Sequence, residues 1–413
     1  MLPVSSAETY YEDEALQTVL REVVETLAPI DRTPCSPGER QAAEWLAARL
    51  RAVPEVEVAL EDEHSWGTFP PTATGLGALG MTAAALVLWR RRAAGALLAL
   101  GALAGILDEA QNGPRVLRRA VRRRKRTVNV VARTGDPSGR STLVVLAHHD
   151  APQTGMLFDQ TLQRRLHERA PAVLERFKTP LPQWWIGLAG PLCTIVAAIA
   201  ARRGFARSGL ALGVVGTVVV ADIWRNATVQ GANDNLSGVA ALVALAQLLR
   251  EDPVPDLRVL LVSCGAEETL QDGVRAFVAR HREELEPGRT AFVNLDTVGS
   301  PHLVMLEAEG PVWMESYTGP WLRDLLERGA ERLGTTLHRG FRARASTDSV
   351  IPSRAGYAIA TLVSMTDWRS PANYHLASDI PANLDFESVA DATRLVHEVA
   401  RSLPAALAEA LPS

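Results

Sequence analysis

The chain has little cysteine and almost no lysine. Cys35, Cys193 and Cys264 show neither the spacing of a thiolate metal cluster nor that of a redox pair. An odd number leaves no closed disulfide framework, in keeping with a reducing compartment. Among 43 basic residues the lysines are Lys125 and Lys178, a bias that reflects genome composition more than chemistry. The formal net charge of −4 gives no surplus of positive charge, so nucleic acid is not an expected partner. The first 16 residues are polar and acidic, and without an apolar core no signal peptide is expected there. No repeat runs through the chain apart from one apolar design that occurs twice.

That design is the sharpest change in composition. Residues 72–89 are apolar and uncharged, Arg90, Arg91 and Arg92 interrupt, and 93–107 are apolar again. Residues 184–201, a link with Arg202, Arg203 and Arg207, and then 208–224 repeat the arrangement. A bilayer core asks for about 20 apolar residues per helix and tolerates about 17. Three of the runs reach or approach the lower figure, while 93–107 is short. Snorkelling arginines and Trp89, Trp184, Trp185 and Trp224 suit membrane interfaces. The expectation is two inserted transmembrane helical hairpins, 72–108 and 184–224, giving four membrane helices. Two buried hairpins in a soluble protein are the plainer alternative. Each hairpin enters and leaves on one side, so 1–71, 109–183 and 225–413 form one body on one face of the bilayer. The hairpin turns hold three arginines each, whereas the flanks carry Arg115, Arg118, Arg119, the run 122–126, Arg164, Arg165, Arg169, Arg176 and Lys178. The positive-inside rule then predicts a multi-pass protein of the cell membrane with its globular part on the cytoplasmic face. The 122–126 run would touch anionic headgroups.

The remainder reads as one α/β domain. Helical periodicity covers 14–27, and a second helix starts at Ser36-Pro37, where Glu39 would complete a capping box. Strands are expected at 56–60, 127–132, 142–146, 257–263, 291–295, 303–306 and 358–364, and helices at 239–249, 273–285, 321–333 and 386–403.

Several strands end on residues of metal-ligand type. Residues 143–146 run into Ala147-His148-His149-Asp150, 257–263 into Gly265-Ala266-Glu267-Glu268, and 291–295 into Asp296; 358–364 lead to Tyr374-His375. A glycine-bounded loop, 231–238, carries Asp234 ahead of an apolar helix, where an Asp alone would be an ordinary N-cap. In open α/β sheets ligands sit beyond the carboxyl ends of the strands, so His148, Asp234, Glu268, Asp296 and His375 converge on one crevice. Imidazole and carboxylate without thiolate suit zinc, or less selectively cobalt or manganese. A pair of cations needs a shared ligand, and Asp234 is the candidate bridge, with His148 and Asp296 on one ion and His375 and Glu268 on the other. Asp150 can return toward the site and fix the His148 tautomer, while His149 points away and reads as structural. Glu267 is left as the general base. Tyr374 is a candidate oxyanion donor, though a tyrosine beside a ligand is as often packing.

These motifs resemble those of the co-catalytic di-zinc aminopeptidases, the twenty-eighth metallopeptidase family, and 32–40 is similar to that family's N-terminal region. The resemblance covers the chain apart from the hairpins. It implies a three-layer α/β/α peptidase domain with a mixed sheet, two zinc ions, the same metal partition, and the same roles for Glu267 and Asp150. Two departures stand out: the long interval from His148 to Asp234, which holds the second hairpin, and Ser349, where a histidine often follows the aspartate that is Asp348 here. The function expected is a membrane-anchored zinc hydrolase of amide bonds, foremost an aminopeptidase. Alternatives on the same fold are a hydrolase of acylated peptides or lipid amides at the bilayer surface and a glutaminyl-cyclase-like transferase. A non-catalytic membrane scaffold would be expected to lack ligands, and none is missing.

Overall fold

The computed structural model describes residues 6–179 and 183–410. Among these residues nine strands form one mixed sheet: β1 (Glu57–Ser65), β2 (Lys125–Gly135), β3 (Ser141–His148), β4 (Leu257–Cys264), β5 (Thr290–Leu295), β6 (His302–Glu309), β7 (Glu315–Ser316), β8 (His338–Ala343) and β9 (Ala358–Met365). The order is β1-β2-β4-β3-β5-β9-β6-β7, with β8 beside β6. The four central strands, β4, β3, β5 and β9, are parallel, so their carboxyl ends open on one edge. Strands β1 and β2 run antiparallel on one flank of this core, and β6 runs antiparallel to β9 on the other.

The helices are α1 (Ser6–Leu27), α2 (Pro37–Arg51), α3 (Pro70–Leu88), α4 (Arg92–Ala110), α5 (Val116–Val121), α6 (Thr161–Arg169), α7 (Pro171–Leu174), α8 (Trp185–Ala200), α9 (Arg203–Arg225), α10 (Ser237–Glu251), α11 (Asp272–Arg280), α12 (Pro320–Leu333), α13 (Val350–Arg354) and α14 (Phe386–Ala410). Alternation along β3 builds the layers. Leu143, Val145 and Ala147 pack with α1, α2, α10, α12 and α14 on one face, and Val144 and Leu146 pack with α11 and α13 on the other. Helix α10 is buried all round from 237 to 246, as expected of an apolar helix with no polar stripe.

The two hairpins pack together as one bundle, α3 against α4 and α9, and α8 against α4 and α9. Three of its helices, α3, α4 and α9, are long and apolar enough to cross a membrane; α8 has 16 residues. Three of the four expected spans thus reach the length, and the short segment is α8 in place of 93–107. The run 93–107 is extended to 19 residues by Arg92 and by Asp108, Glu109 and Ala110, because a charge ends an apolar run without ending a helix. Close approach comes from glycine: a Cβ on Gly190 would lie 3.0 Å from Gly213 N and 3.1 Å from Gly209 O. The outer faces expose Leu97, Leu100, Ile199, Val214 and Val218, the reverse of a soluble bundle.

The basic flank after α4 also differs from the expectation. Arg115 and Arg118 are fully buried and therefore unavailable to headgroups. Arg115 pairs with Asp272, and Arg118 pairs with Glu109 while donating to the carbonyls of Thr269 (2.5 Å) and Gly67 (3.3 Å). Asp272 in turn accepts from Ser65 Oγ at 2.6 Å and Thr269 Oγ1 at 3.0 Å. These pairs join the end of the first hairpin to the loop that follows β4. Replacing Arg118 by Leu strands Glu109 as an unpaired buried charge, and the expected loss is about 3–5 kcal/mol. Thermal unfolding in detergent checks this, and the paired change Arg118→Leu with Glu109→Leu should restore most of the stability.

Candidate metal centre

Each expected site residue sits at the carboxyl edge of the parallel strands. His148 ends β3, Glu267 and Glu268 follow β4, Asp296 follows β5, and the loop after β9 brings in Tyr374 and His375. Asp234 enters from the loop before α10 and stands at the centre. Its Oδ1 is 3.2 Å from His148 Nε2 and its Oδ2 is 3.0 Å from His375 Nε2. Donor atoms of His148, Asp234 and Asp296 lie within 4.8 Å of one another, as do those of Asp234, Glu268 and His375. Asp234 is common to both groups. Glu267 Oε2 is 4.0 Å from His148 Nε2, and Glu267 Oε1 accepts from Gln271 Nε2 at 2.6 Å. The Tyr374 ring stacks on His375 with centroids 4.0 Å apart.

The loops are held by buried polar groups that local sequence does not advertise. Gly231 has φ +57°, and a Cβ there would lie 2.3 Å from Asp234 O, so this turn admits only glycine. Arg32 is fully buried and donates to the carbonyls of His149 (2.9 Å) and Gln230 (2.6 Å), tying the end of β3 to the Asp234 loop. Asp379 accepts from the backbone N–H of Asn233 (2.7 Å) and of Asp234 (3.1 Å). Asp150 does more than orient His148, whose Nδ1 lies 3.2 Å from the Asp150 carbonyl and 3.4 Å from Oδ1. Its carboxylate also accepts from the N–H of Glu267 (3.1 Å) and of Glu268 (2.9 Å). Glu39 does not complete the capping box. Ser36 Oγ accepts from Glu39 N as an N-cap should, but the Glu39 carboxylate is buried and takes the N–H of Ala266 (2.8 Å) and Cys35 (3.0 Å). His149 faces away, its Nδ1 2.9 Å from Ser263 Oγ, and Ser349 bonds Thr361 Oγ1 at 2.6 Å. Arg32 lay within a segment the sequence had singled out; Asp379, four residues after His375, carried no such signal.

The charge balance tests whether cations fit. Burial opposes ionisation of Asp234, yet its hydrogen bonds with His148 and His375 hold its carboxyl below the usual range. Burial and then Asp234 push Asp296 up to about 7, and burial followed by Asp234 and Glu267 pushes Glu268 well up. Burial also raises Glu267 strongly; His148 opposes this, and Asp348, Asp296 and Asp150 add to it. Both oxygens of buried Asp348 lack a hydrogen-bond partner. Two histidines and Arg32 offset only part of this buried carboxylate, and bound cations would offset more of it. With Nε2 and carboxylate oxygens as donors, the residues fit divalent cations of the zinc, cobalt and manganese kind. A cavity of about 280 Å³ opens over these residues.

The comparisons with known proteins support a metallopeptidase-like hydrolase. Residues 215–400 match the model of peptidase family M28, which bears out the resemblance read from the motifs. That stretch holds Asp234, Glu267, Glu268, Asp296, Tyr374 and His375, whereas His148 and Asp150 precede it. No curated protein matches the chain. Among solved structures, an aminopeptidase from Aneurinibacillus sp. is 13% identical, with TM-score 0.53 over 94% of this chain and 93% of that one. A Zn-dependent exopeptidase from Parabacteroides distasonis is 14% identical, with TM-score 0.52 over 93% and 97%. A glutaminyl cyclase from Bacteroides thetaiotaomicron is 12% identical, with TM-score 0.54 over 93% and 97%. At these identities the likeness shows the mixed-sheet α/β peptidase fold.

The shared position of Asp234 sets up a metal count. If each of the two groups holds one ion, Asp234→Ala should leave almost no tightly bound zinc, while Asp296→Ala should keep about half of the wild-type content, because losing a ligand lowers affinity. Elemental analysis of the purified protein after dialysis reads both.

Proposed function

We propose that this protein is a membrane-anchored di-zinc hydrolase of amide bonds, acting as an aminopeptidase, with Glu267 as general base. The observation that carries the reading is the Asp234 carboxylate, which turns one oxygen to each of two histidines. In this reading His148 and Asp296 would hold one ion and His375 and Glu268 the other, with Asp234 common to both groups; cobalt or manganese would suit the same donors. When bound, the cations polarise the scissile carbonyl and make the attacking water more acidic. His148 Nδ1–H donates to Asp150, whose carbonyl is 3.2 Å and Oδ1 3.4 Å away, which leaves the Nε2 lone pair free for a metal. Glu267 Oε2 accepts the proton of the attacking water and returns it to the leaving nitrogen. A carboxyl whose affinity for protons is raised by burial suits both transfers. Tyr374 lines the same cavity, and its hydroxyl would donate to the developing oxyanion.

The bundle supports the membrane part of the reading. On the domain side, α5 exposes Val116, Leu117 and Val121, and Arg119 lies over the Trp66 ring at 4.7 Å beside the basic run 122–126. With Arg115 and Arg118 discounted, basic residues on this side still outnumber those at the hairpin tips, which favours a cytoplasmic domain.

Two experiments test the proposal. Glu267→Gln should keep the wild-type metal content and lose about 10²–10⁴-fold in hydrolysis rate. Incorporation of oxygen from labelled water into the product carboxylate separates hydrolysis from cyclisation of the glutaminyl-cyclase kind, which consumes no water. For orientation, Arg91→Cys and Glu331→Cys are made in a chain freed of its own cysteines. An impermeant thiol reagent should label the first in intact cells and the second only after lysis; the opposite pattern reverses the topology.

A further inference from the structure

The cavity over the metal centre does not end at the sheet. One end is lined by His148, Glu267 and Asp296. The other is an apolar arm inside the helical bundle, lined by Ile223, Val220, Thr217 and Gly213 of α9, Gly77 of α3 and Pro191 of α8. Small residues shape this arm: Gly77 lets α3 come against α9, where a Cβ would lie 2.2 Å from Thr217 Oγ1, and Pro191 lies inside α8, where it removes a backbone donor. From Ile223 to Gly213 the wall of α9 rises about 15 Å at 1.5 Å per residue.

The arm has a floor. Beyond Gly213, α8 and α9 come together so closely that a Cβ on Gly209 would lie 2.5 Å from Thr194 Oγ1 and 2.9 Å from Gly190 O. On the α3 side Met81 closes the space, 3.1 Å from where a Gly213 Cβ would stand. The arm also offers nothing to a polar guest. Thr217 Oγ1 is spent on the Gly213 carbonyl at 2.7 Å, and the acid on the same helix, Asp222, accepts from Met156 N at 2.7 Å. A peptide segment there would bury its amides without partners, at a cost of several kcal/mol each. A hydrocarbon chain would lose nothing.

We propose that the substrate carries a single long hydrocarbon chain next to its scissile amide, and that this chain lies between α3, α8 and α9 while the amide sits over the metal centre. The inference rests on the amide-hydrolase reading above and deepens it. The reaction is RCO–NHR′ + H₂O giving RCOOH and R′NH₂, with the chain in either R or R′. Three backbone bonds span about 3.3–3.6 Å when extended, so an arm of about 15 Å holds roughly twelve carbons.

The test uses the full chain, purified with its metal in detergent, and two substrate series. In one the chain is the acyl group of an N-acyl amino acid; in the other it is the amine of an aminoacyl alkylamide. In one of the two series kcat/KM should rise by up to about fourfold per methylene and stop rising near twelve carbons, where the arm is full. Partition into micelles also favours longer chains, so a second readout is needed that partition does not move. Val220→Trp fills the arm about 10 Å above the floor and should shorten the optimum by roughly eight carbons. Gly213→Leu, at the floor itself, should shorten it by less. Should neither variant fold, the break in the wild-type series carries the test, because partition alone gives a steady rise. A flat profile in both series, or an optimum that Val220→Trp leaves in place, overturns the proposal. Cleavage of short aminoacyl peptides with a flat profile would remove the chain and leave the metal-centre reading standing. No amide hydrolysis by the metal-loaded protein would remove both.

Discussion

One carboxylate, facing two imidazoles with two oxygens, is the constraint around which the domain is arranged. Asp234 is ionised against the cost of burial because His148 and His375 lie on either side of it. That arrangement asks for a backbone turn available only to glycine at 231, for Asp379 to take up two amide protons, and for Arg32 to bridge two loops through their carbonyls. None of these supporting groups touches the positions where chemistry would occur. Each fixes a loop to within a hydrogen bond of its place, and the site's geometry follows from that rigidity.

The same economy governs the loop after β4. Asp150 accepts both Glu267 and Glu268 amides, Glu39 accepts that of Ala266, and Asp272 is pinned by Arg115, Ser65 and Thr269. Glu267 and Glu268 are thus set by backbone bonds, and both line the cavity, Glu267 with one oxygen held by Gln271. Through Arg115 and Arg118 the first hairpin joins this network, which links the bundle to the loop after β4.

Four of the residues that meet at the centre were legible because they stand where a strand's apolar run ends: His148 after 143–146, Asp296 after 291–295, and the two glutamates after 257–263. A run of aliphatic residues marks a buried strand, and the first polar group beyond it marks the edge of the sheet. The supporting residues were not legible, since Glu39 and Ala266 or Asp379 and Asn233 are partners only in three dimensions. Strand β8 escaped notice because Arg339 and Arg342 break its alternation, and it pairs only along the sheet's margin with β6. Hydropathy located the bundle but not its helix lengths, since it records where lipid-like residues stop and not where hydrogen bonding stops. Arg115 and Arg118 looked like surface charge for the same reason: composition does not tell a solvated arginine from one facing a buried acid.

His148 and Asp234 are neighbours in space yet lie on opposite sides of α8 and α9 in the chain. A flexible insert of that length would tax ring formation, since the entropy of bringing two ends together grows with the residues between them. An antiparallel helical pair avoids most of this. It sends the polypeptide away and returns it beside its point of departure, where Gln153 pairs with Thr228. For the site, the excursion is then equivalent to a short connection, and the architecture can hold two essential side chains on either side of a long detour without loosening the contact between them.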